Sequence, residues 1–241
     1  MKNFFETEEN CFKHLKLSAE LLHDLPWQQI LEVWADGDLL TPDFSLKNPQ
    51  SWSNVCAHSA TAAILANKLT RELSYLGYQL SAHDVTLATL LHDWNKKGEV
   101  EQIKFSRDVK SVTIFNQKSI EKICKIFGSR IGQLTLCTGD LGYDTFSNGK
   151  FGCEELVIFY SDICTSGQHV VGYEERFRKL QEHFRPGGRY EHTEQYFQNR
   201  YGKSWLQSNL EVVYSLEDLF RSKGNLVGPE LSCSLVPDWC L

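Results

Sequence analysis

"TLLHDWNKKGEVE", residues 89–101, ends an apolar run with a histidine, an aspartate and two lysines. Upstream of it, Val85, Ala88 and His92 share one helical face, with Leu87, Leu90 and Leu91 around them. This spacing predicts a helix from Ser81, an N-cap residue type, to about Asn95, stopping before Gly98. His92 and Asp93 would stand about 100° apart on that helix, close enough near its end to reach one central ion. A salt-bridged helix end accounts for the stretch by itself. A metal site accounts for it when further ligands arrive from elsewhere in the chain.

Two such ligands stand out on other apolar segments. A long helix is predicted from Ser51 or Ser53 to Leu76, ended by Gly77, and His58 lies on its stripe with Val55, Ala62, Leu65 and Leu69. A further helix, from Cys153 to about Ser166, places Asp162 inside its most apolar run, beside Ile158, Phe159 and Ile163. A buried carboxylate is costly unless something positive pairs with it. Singly, each of these polar residues reads as a satisfied core histidine or a capping aspartate. Together, two imidazoles and two carboxylates on three apolar helices form the N/O donor mixture that a hard or borderline divalent cation prefers.

The rest of the chain also reads as mostly helical. Helices are predicted at 10–24 and 27–36, separated by Pro26, with a connector over 37–50. Residues 99–115 are ambiguous, and VKSVTIF suits a short strand or a buried loop. Helices follow at 117–127 and 129–137, then a loop over 138–152, which holds four glycines. Helices at 173–185, 191–201 and 204–222 complete the expected all-α fold, with an extended tail over 223–241. The expected organisation is an N-terminal helical extension and connector (1–50), a metal-binding core (51–185), and C-terminal helices and tail packed on it (186–241). Tyr190, Tyr196, Phe197, Tyr201 and Trp205 are expected to cover that core.

Bulk properties narrow the function classes. The 241 residues are 41% hydrophobic and 12% aromatic, enough for a sizeable core, and carry a formal net charge of -6. That acidic balance argues against a general nucleic-acid or membrane-coating surface, and it leaves room for a small phosphate ester held locally. The opening MKNFFETEEN lacks a signal-peptide pattern, and no apolar run approaches the ~20 residues of a membrane helix, so a cytoplasmic protein is expected. Eight cysteines are scattered without a CxxC pair and read as buried thiols. Cys233 and Cys240, in the tail, suggest no role. No phosphate loop, HExxH, GxSxG or dinucleotide fingerprint is present.

"CAHSA" with His58, "LLHDWNKK" with His92 and Asp93, and "FYSDICTSG" with Asp162 resemble the H…HD…D signature of the HD-domain metal-dependent phosphohydrolases, over about residues 52–185. The resemblance implies a helical bundle in which His58, His92, Asp93 and Asp162 ligate one divalent cation (manganese, cobalt, nickel, iron, magnesium or zinc). It also implies a catalytic role for Asp93, and for Lys96, which falls at the lysine of an HD-x-x-K motif and would meet a phosphate oxygen. Helix-dipole compensation is the plainer reading of Lys96 and of its neighbour Lys97, the other lysine placed to bind substrate. Asn95 stands where glycine is frequent in the family. No histidine lies between Asp93 and Asp162, which favours one metal and argues against cyclic dinucleotides as substrates. The HDxxE of some nucleotidases is missing. The earlier pair His23-Asp24 has no preceding histidine helix and reads as a surface or cap feature.

The function expected on this basis is hydrolysis of a phosphomonoester or phosphoanhydride, of a nucleotide or related small molecule, by metal-activated water. Asp144, with Asp140, could approach such a site from the 138–152 loop, and His169 from beyond the Asp162 helix. Arg176 and Arg178 could bind phosphate, but among Glu174, Glu175 and Glu182 they read as a solvated, ion-paired face. Two alternatives stay open: an HD-type single-strand nuclease, and a non-catalytic module that binds a nucleotide or a partner.

Overall fold

The computed structural model describes residues 24–40, 42–43, 50–106, 109–138, 140–223, 231 and 235. The expected helix at 10–24, residue 24 apart, and most of the tail, with Cys233 and Cys240, lie outside these residues. Among them the fold is all-α, with eleven α-helices and two minimal hairpins.

Helix α1 (Trp27–Asp36) leads to the short pair β1 (Pro42–Asp43) and β2 (Gln50–Ser51), inside the predicted connector. Helices α2 (Ser53–Tyr75), α3 (Ala82–Leu91) and α8 (Cys153–Ile163) form the centre. Their composition explains why. Residues 85–91 of α3 and 156–161 of α8 are buried on every side, the pattern of helices with no solvent face. On α2, Ala57, Ala60, Ala62, Ala63 and Ala66 keep the surface low, so the backbones of α3 and α8 approach closely. Ser81 caps α3 as predicted, its Oγ accepting the amide of Asp84 at 3.2 Å. Arg130 then ties the ends of three helices together, bonding Asp84 Oδ2 and Glu154 Oε2, each at 2.6 Å.

Three readings of the sequence are corrected here. The helix from Ser81 stops at Leu91, not Asn95: residues 92–95 form a turn, and a new helix, α4 (Lys96–Ser106), begins at the lysine. The described part of the ambiguous stretch 99–115 is helical, in α4 up to Ser106 and in α5 (Val109–Phe127) beyond it. Val112 and Ile123 are buried along α5 while Lys122 and Lys125 lie on its more open side, so its β-branched run takes the helical period. After α6 (Ser129–Thr135) and a 3₁₀ turn (Leu136–Thr138), the glycine-rich "loop" contains α7 (Asp140–Ser147). Tertiary packing overrides the glycines: Tyr143 meets Phe197 at 5.3 Å and Tyr201 at 4.8 Å, ring centre to ring centre. Gly142 is required there, because a Cβ would stand 2.0 Å from the Cys137 carbonyl oxygen.

The hairpin β3 (Thr165–Ser166) and β4 (His169–Val170) turns the chain into α9 (Tyr173–Phe184), α10 (Glu191–Tyr201) and α11 (Trp205–Arg221). Helix α11 packs on α8 and α7, and Phe197 of α10 is buried against the same core, as expected of the C-terminal aromatic residues. Cys56, Cys137 and Cys164 are buried, and Cys124 and Cys153 are half-buried. No helix among the described residues is long and apolar enough to cross a membrane.

One residue of α11 is at odds with its surroundings. Glu217 is 2% exposed beside Val213, Leu216 and Phe220, its Oε1 has no hydrogen-bond partner, and its Oε2 has only the exposed Arg221, at 3.8 Å, against it. Burial raises its pKa, so folding favours the protonated acid, and the carboxylate costs stability once pH exceeds the folded value. Glu217→Gln is therefore expected to raise stability at pH 7.5 by on the order of 1 kcal/mol. The advantage should vanish below the ordinary glutamate range, which melting curves at pH 7.5 and pH 4 will show.

Candidate metal centre

Three separate segments bring the four expected ligands together. His58 comes from the second turn of α2, Asp162 from the last turn of α8, and His92 and Asp93 from the turn between α3 and α4. His58 Nε2 lies 2.9 Å from Asp162 Oδ1. His92 Nε2 lies 3.4 Å from the same oxygen and 3.6 Å from Asp93 Oδ2. The ligand atoms of His58, His92 and Asp93 all fall within 4.8 Å of one another. Donors each about 2.1 Å from one ion stand roughly 3 to 4 Å apart, so these separations suit a shared cation.

Two observations test the fit more sharply than distance. His92 Nδ1 donates to the carbonyl oxygen of Thr89 at 2.7 Å, which leaves Nε2 as the nitrogen that could bind a metal. That Nε2 is fully buried and has no hydrogen-bond partner, although two carboxylates surround it. An orphaned buried nitrogen of this kind suits a cation between it and the carboxylates.

The charges around the centre agree. Burial alone would push the His92 imidazole down, but Asp93 and Asp162 outweigh it and lift its pKa to about 9. Burial likewise works against the Asp162 carboxylate, yet His92 and His58 hold its pKa well below the usual range. Lys96 and His92 do the same, less strongly, for Asp93. The field that favours a proton on His92 would equally favour a metal ion in its place.

Lys96 stands beside this centre. Its Nζ lies 3.6 Å from Asp93 Oδ1 and 2.9 Å from Glu99 Oε1, and Glu99 is held in turn by Asn116 at 3.4 Å. Burial opposes the ammonium, but Asp93 and Glu99 raise its pKa well above the ordinary lysine value. As the first residue of α4, Lys96 cannot compensate a helix C-terminus, which removes that explanation for it.

The centre opens into a cavity of about 500 Å³, within the range of small-molecule sites. His58, His92, Asp93, Asp162 and Lys96 line one end of it. Lys97 does not: one position further round α4, it pairs with Asp38 at 2.7 Å. Asp144 does not either; on α7 it accepts bonds from Arg200 at 2.8 Å and from Tyr201. His169 is exposed on β4, away from the cavity lining, and the Asp140 side chain lies outside the described residues.

Arg176 corrects the sequence reading most. The ion-paired face exists on α9, where Glu175 holds Lys179 and the nearby Glu182 holds Arg185, each at 2.6 Å. Arg176 is instead turned into the cavity, with Leu180, His183 and Phe184 along the same side of the helix. Tyr173 and Phe177, the buried residues of α9, flank it in sequence at helical spacing. That pattern is the signal that marked His58, but the neighbouring glutamates obscured it. Glu99 and Arg189 are further lining residues that the sequence did not single out, and Tyr190 and Trp205, expected to cover the core, line the cavity.

Comparison with protein-family models, curated proteins and solved structures finds no match to this chain.

Proposed function

We propose that the protein is a metal-dependent phosphohydrolase acting on a phosphomonoester or phosphoanhydride of a nucleotide or a related small molecule. The observation that carries this reading is the convergence of His58, His92, Asp93 and Asp162 at the end of a ligand-sized cavity, with Lys96 beside them. A divalent cation held by these four residues would supply a water of lowered pKa and a positive charge against a phosphoryl oxygen.

The chain's own residues supply the rest. The Thr89 carbonyl fixes the His92 ring, and the His58–Asp162 bond fixes the opposing imidazole and carboxylate. Glu99 and Asp93 hold the Lys96 ammonium at the cavity wall, where it can meet the charge that grows on phosphate oxygens as the ester bond breaks. Phe184, stacked on Trp205 with ring centres 4.0 Å apart, and Tyr190 give the cavity an aromatic wall against which a nucleobase could lie.

The test is phosphate release from a nucleotide panel with manganese, cobalt, nickel or magnesium. Asp93→Ala should abolish it. Lys96→Ala should lower turnover about a hundredfold while the bound-metal content holds. A folded, metal-loaded protein that releases no phosphate contradicts the proposal. A single-stranded oligonucleotide in the same panel separates the nuclease alternative, which would cut it.

A further inference from the structure

Arg176 and Arg189 line this cavity, and the proposed reaction leaves both unused. The cavity lining contains three carboxylates, Asp93, Glu99 and Asp162. All are engaged: Lys96 bridges Asp93 and Glu99, and Asp162 is shared by His58 and His92. Arg176 has no ion pair among the described residues, and its Nε is buried without any hydrogen-bond partner. On this helix and just beyond it Lys179 and Arg185 pair with glutamates, and Arg178, with no ion pair among the described residues, is exposed to water.

Arginine cannot shed its charge, and a buried N–H without an acceptor loses its hydration for nothing in return. The described residues supply no such acceptor, which leaves one brought into the cavity by a bound molecule. Arg189 stands at the exposed mouth of the same cavity, also unpaired among the described residues. In a chain of net charge -6, two unpaired guanidinium groups facing one cavity are a local feature rather than a general basicity.

We propose that Arg176, with Arg189 at the rim, forms a second anion subsite that takes an oxyanion group of the substrate other than the one being hydrolysed. It rests on the reading of this cavity as a phosphohydrolase site, and it specifies substrates that carry two anionic groups. The planar guanidinium offers parallel donors that match a phosphate, which lysine does not. Arg176 supplies the desolvated anchor; Arg189, solvated at the mouth, contributes less.

The deciding experiment needs no turnover. Inorganic pyrophosphate is titrated calorimetrically into the full chain after metal removal with EDTA. The wild type should bind one equivalent. Arg176→Ala should weaken binding at least tenfold. Arg176→Lys should recover only part of it, and Arg189→Ala should weaken it about two- to fivefold. Lys179→Ala, which removes a cation from the outward face of the same helix, should leave it unchanged. Circular dichroism checks each fold, and if Arg176→Ala does not fold, Arg176→Lys and Arg189→Ala carry the test.

Absence of pyrophosphate binding in the wild type, or equal binding by the wild type and the Arg176 and Arg189 variants, overturns the subsite. If binding depends on Arg176 but the metal-loaded protein hydrolyses nothing, the subsite stands and the hydrolase reading fails. If the protein hydrolyses, Arg176→Ala should raise KM at least tenfold for a nucleoside diphosphate. It should leave KM for p-nitrophenyl phosphate, which has no second anion, within about twofold.

Discussion

Asp162→Ala should eliminate metal-dependent phosphate release and weaken metal binding by a hundredfold or more. The Asp162 Oδ1 is the hub of the cluster, within 2.9 Å of His58 and 3.4 Å of His92, so its removal takes one proposed ligand and loosens two others. The loss extends to the metal-free protein. Without this carboxylate, two imidazoles whose ring centres are 5.5 Å apart face each other with Asp93 as their one remaining counter-charge. Breaking a buried pair by removing one partner costs about 3–5 kcal/mol, so a lower melting temperature should accompany the loss of activity even in EDTA. Asp162→Asn separates the contributions. It keeps the shape and one hydrogen bond, and should regain part of the stability but not the metal affinity. Full activity in Asp162→Ala would show that the reaction does not use this centre.

Trp34→Ala should be the most damaging change outside the centre. Trp34 is 1% exposed, and its indole Nε1 donates to the carbonyl oxygen of Leu90 at 3.1 Å. It thereby docks α1 on the last turn of α3, directly before His92 and Asp93. Gly37, at the end of α1, completes the contact: a Cβ there would lie 1.9 Å from the Trp94 carbonyl oxygen, so the two backbones touch where only glycine fits. Truncating a buried tryptophan costs roughly 3–5 kcal/mol. For a chain of this size that corresponds to a fall in melting temperature of roughly 6–20 °C. Because the lost contact supports the segment that carries two ligands, metal affinity should fall as well. Trp34→Phe keeps most of the packing and loses the hydrogen bond to Leu90, so it should retain most of both. An unchanged melting curve for Trp34→Ala would mean that α1 does not brace the centre.

The residues that proved most legible are those where local pattern and long-range structure agree. His58 and Asp162 are polar residues on stripes that are otherwise apolar, and burial leaves such groups little to do except meet one another. The helices α2 and α3 likewise follow from apolar runs with a glycine stop and a serine cap, whereas α8 ends at Ile163, short of the expected Ser166, because Thr165 and Ser166 pair with His169 and Val170. Failures occurred where the deciding contact is distant in sequence. Nothing inside residues 138–152 reveals that Tyr143 will pack against Phe197 and Tyr201 of α10, and without that contact the glycines read as a loop. The break at residues 92–95 is equally hidden, since leucines before it and lysines after it continue one helical period.

Charge was the other source of error. Arg176 sits among glutamates that pair with its neighbours, so the local composition suggested a solvated face, whereas the helix turns that one guanidinium inward. Lys96 and Lys97 illustrate the same limit at finer grain. Adjacent on α4, they diverge completely: one faces the cavity, the other pairs with Asp38 outside it. Composition cannot make that distinction, because it depends on where the new helix begins.

The measurement that bears most directly on the shared centre is anomalous diffraction from crystals of the manganese-loaded protein. One anomalous peak per chain is expected, within coordination reach of His58 Nε2, His92 Nε2, Asp93 and Asp162. Crystals of the loaded protein with no peak between these side chains, or with manganese bound only elsewhere, would contradict it.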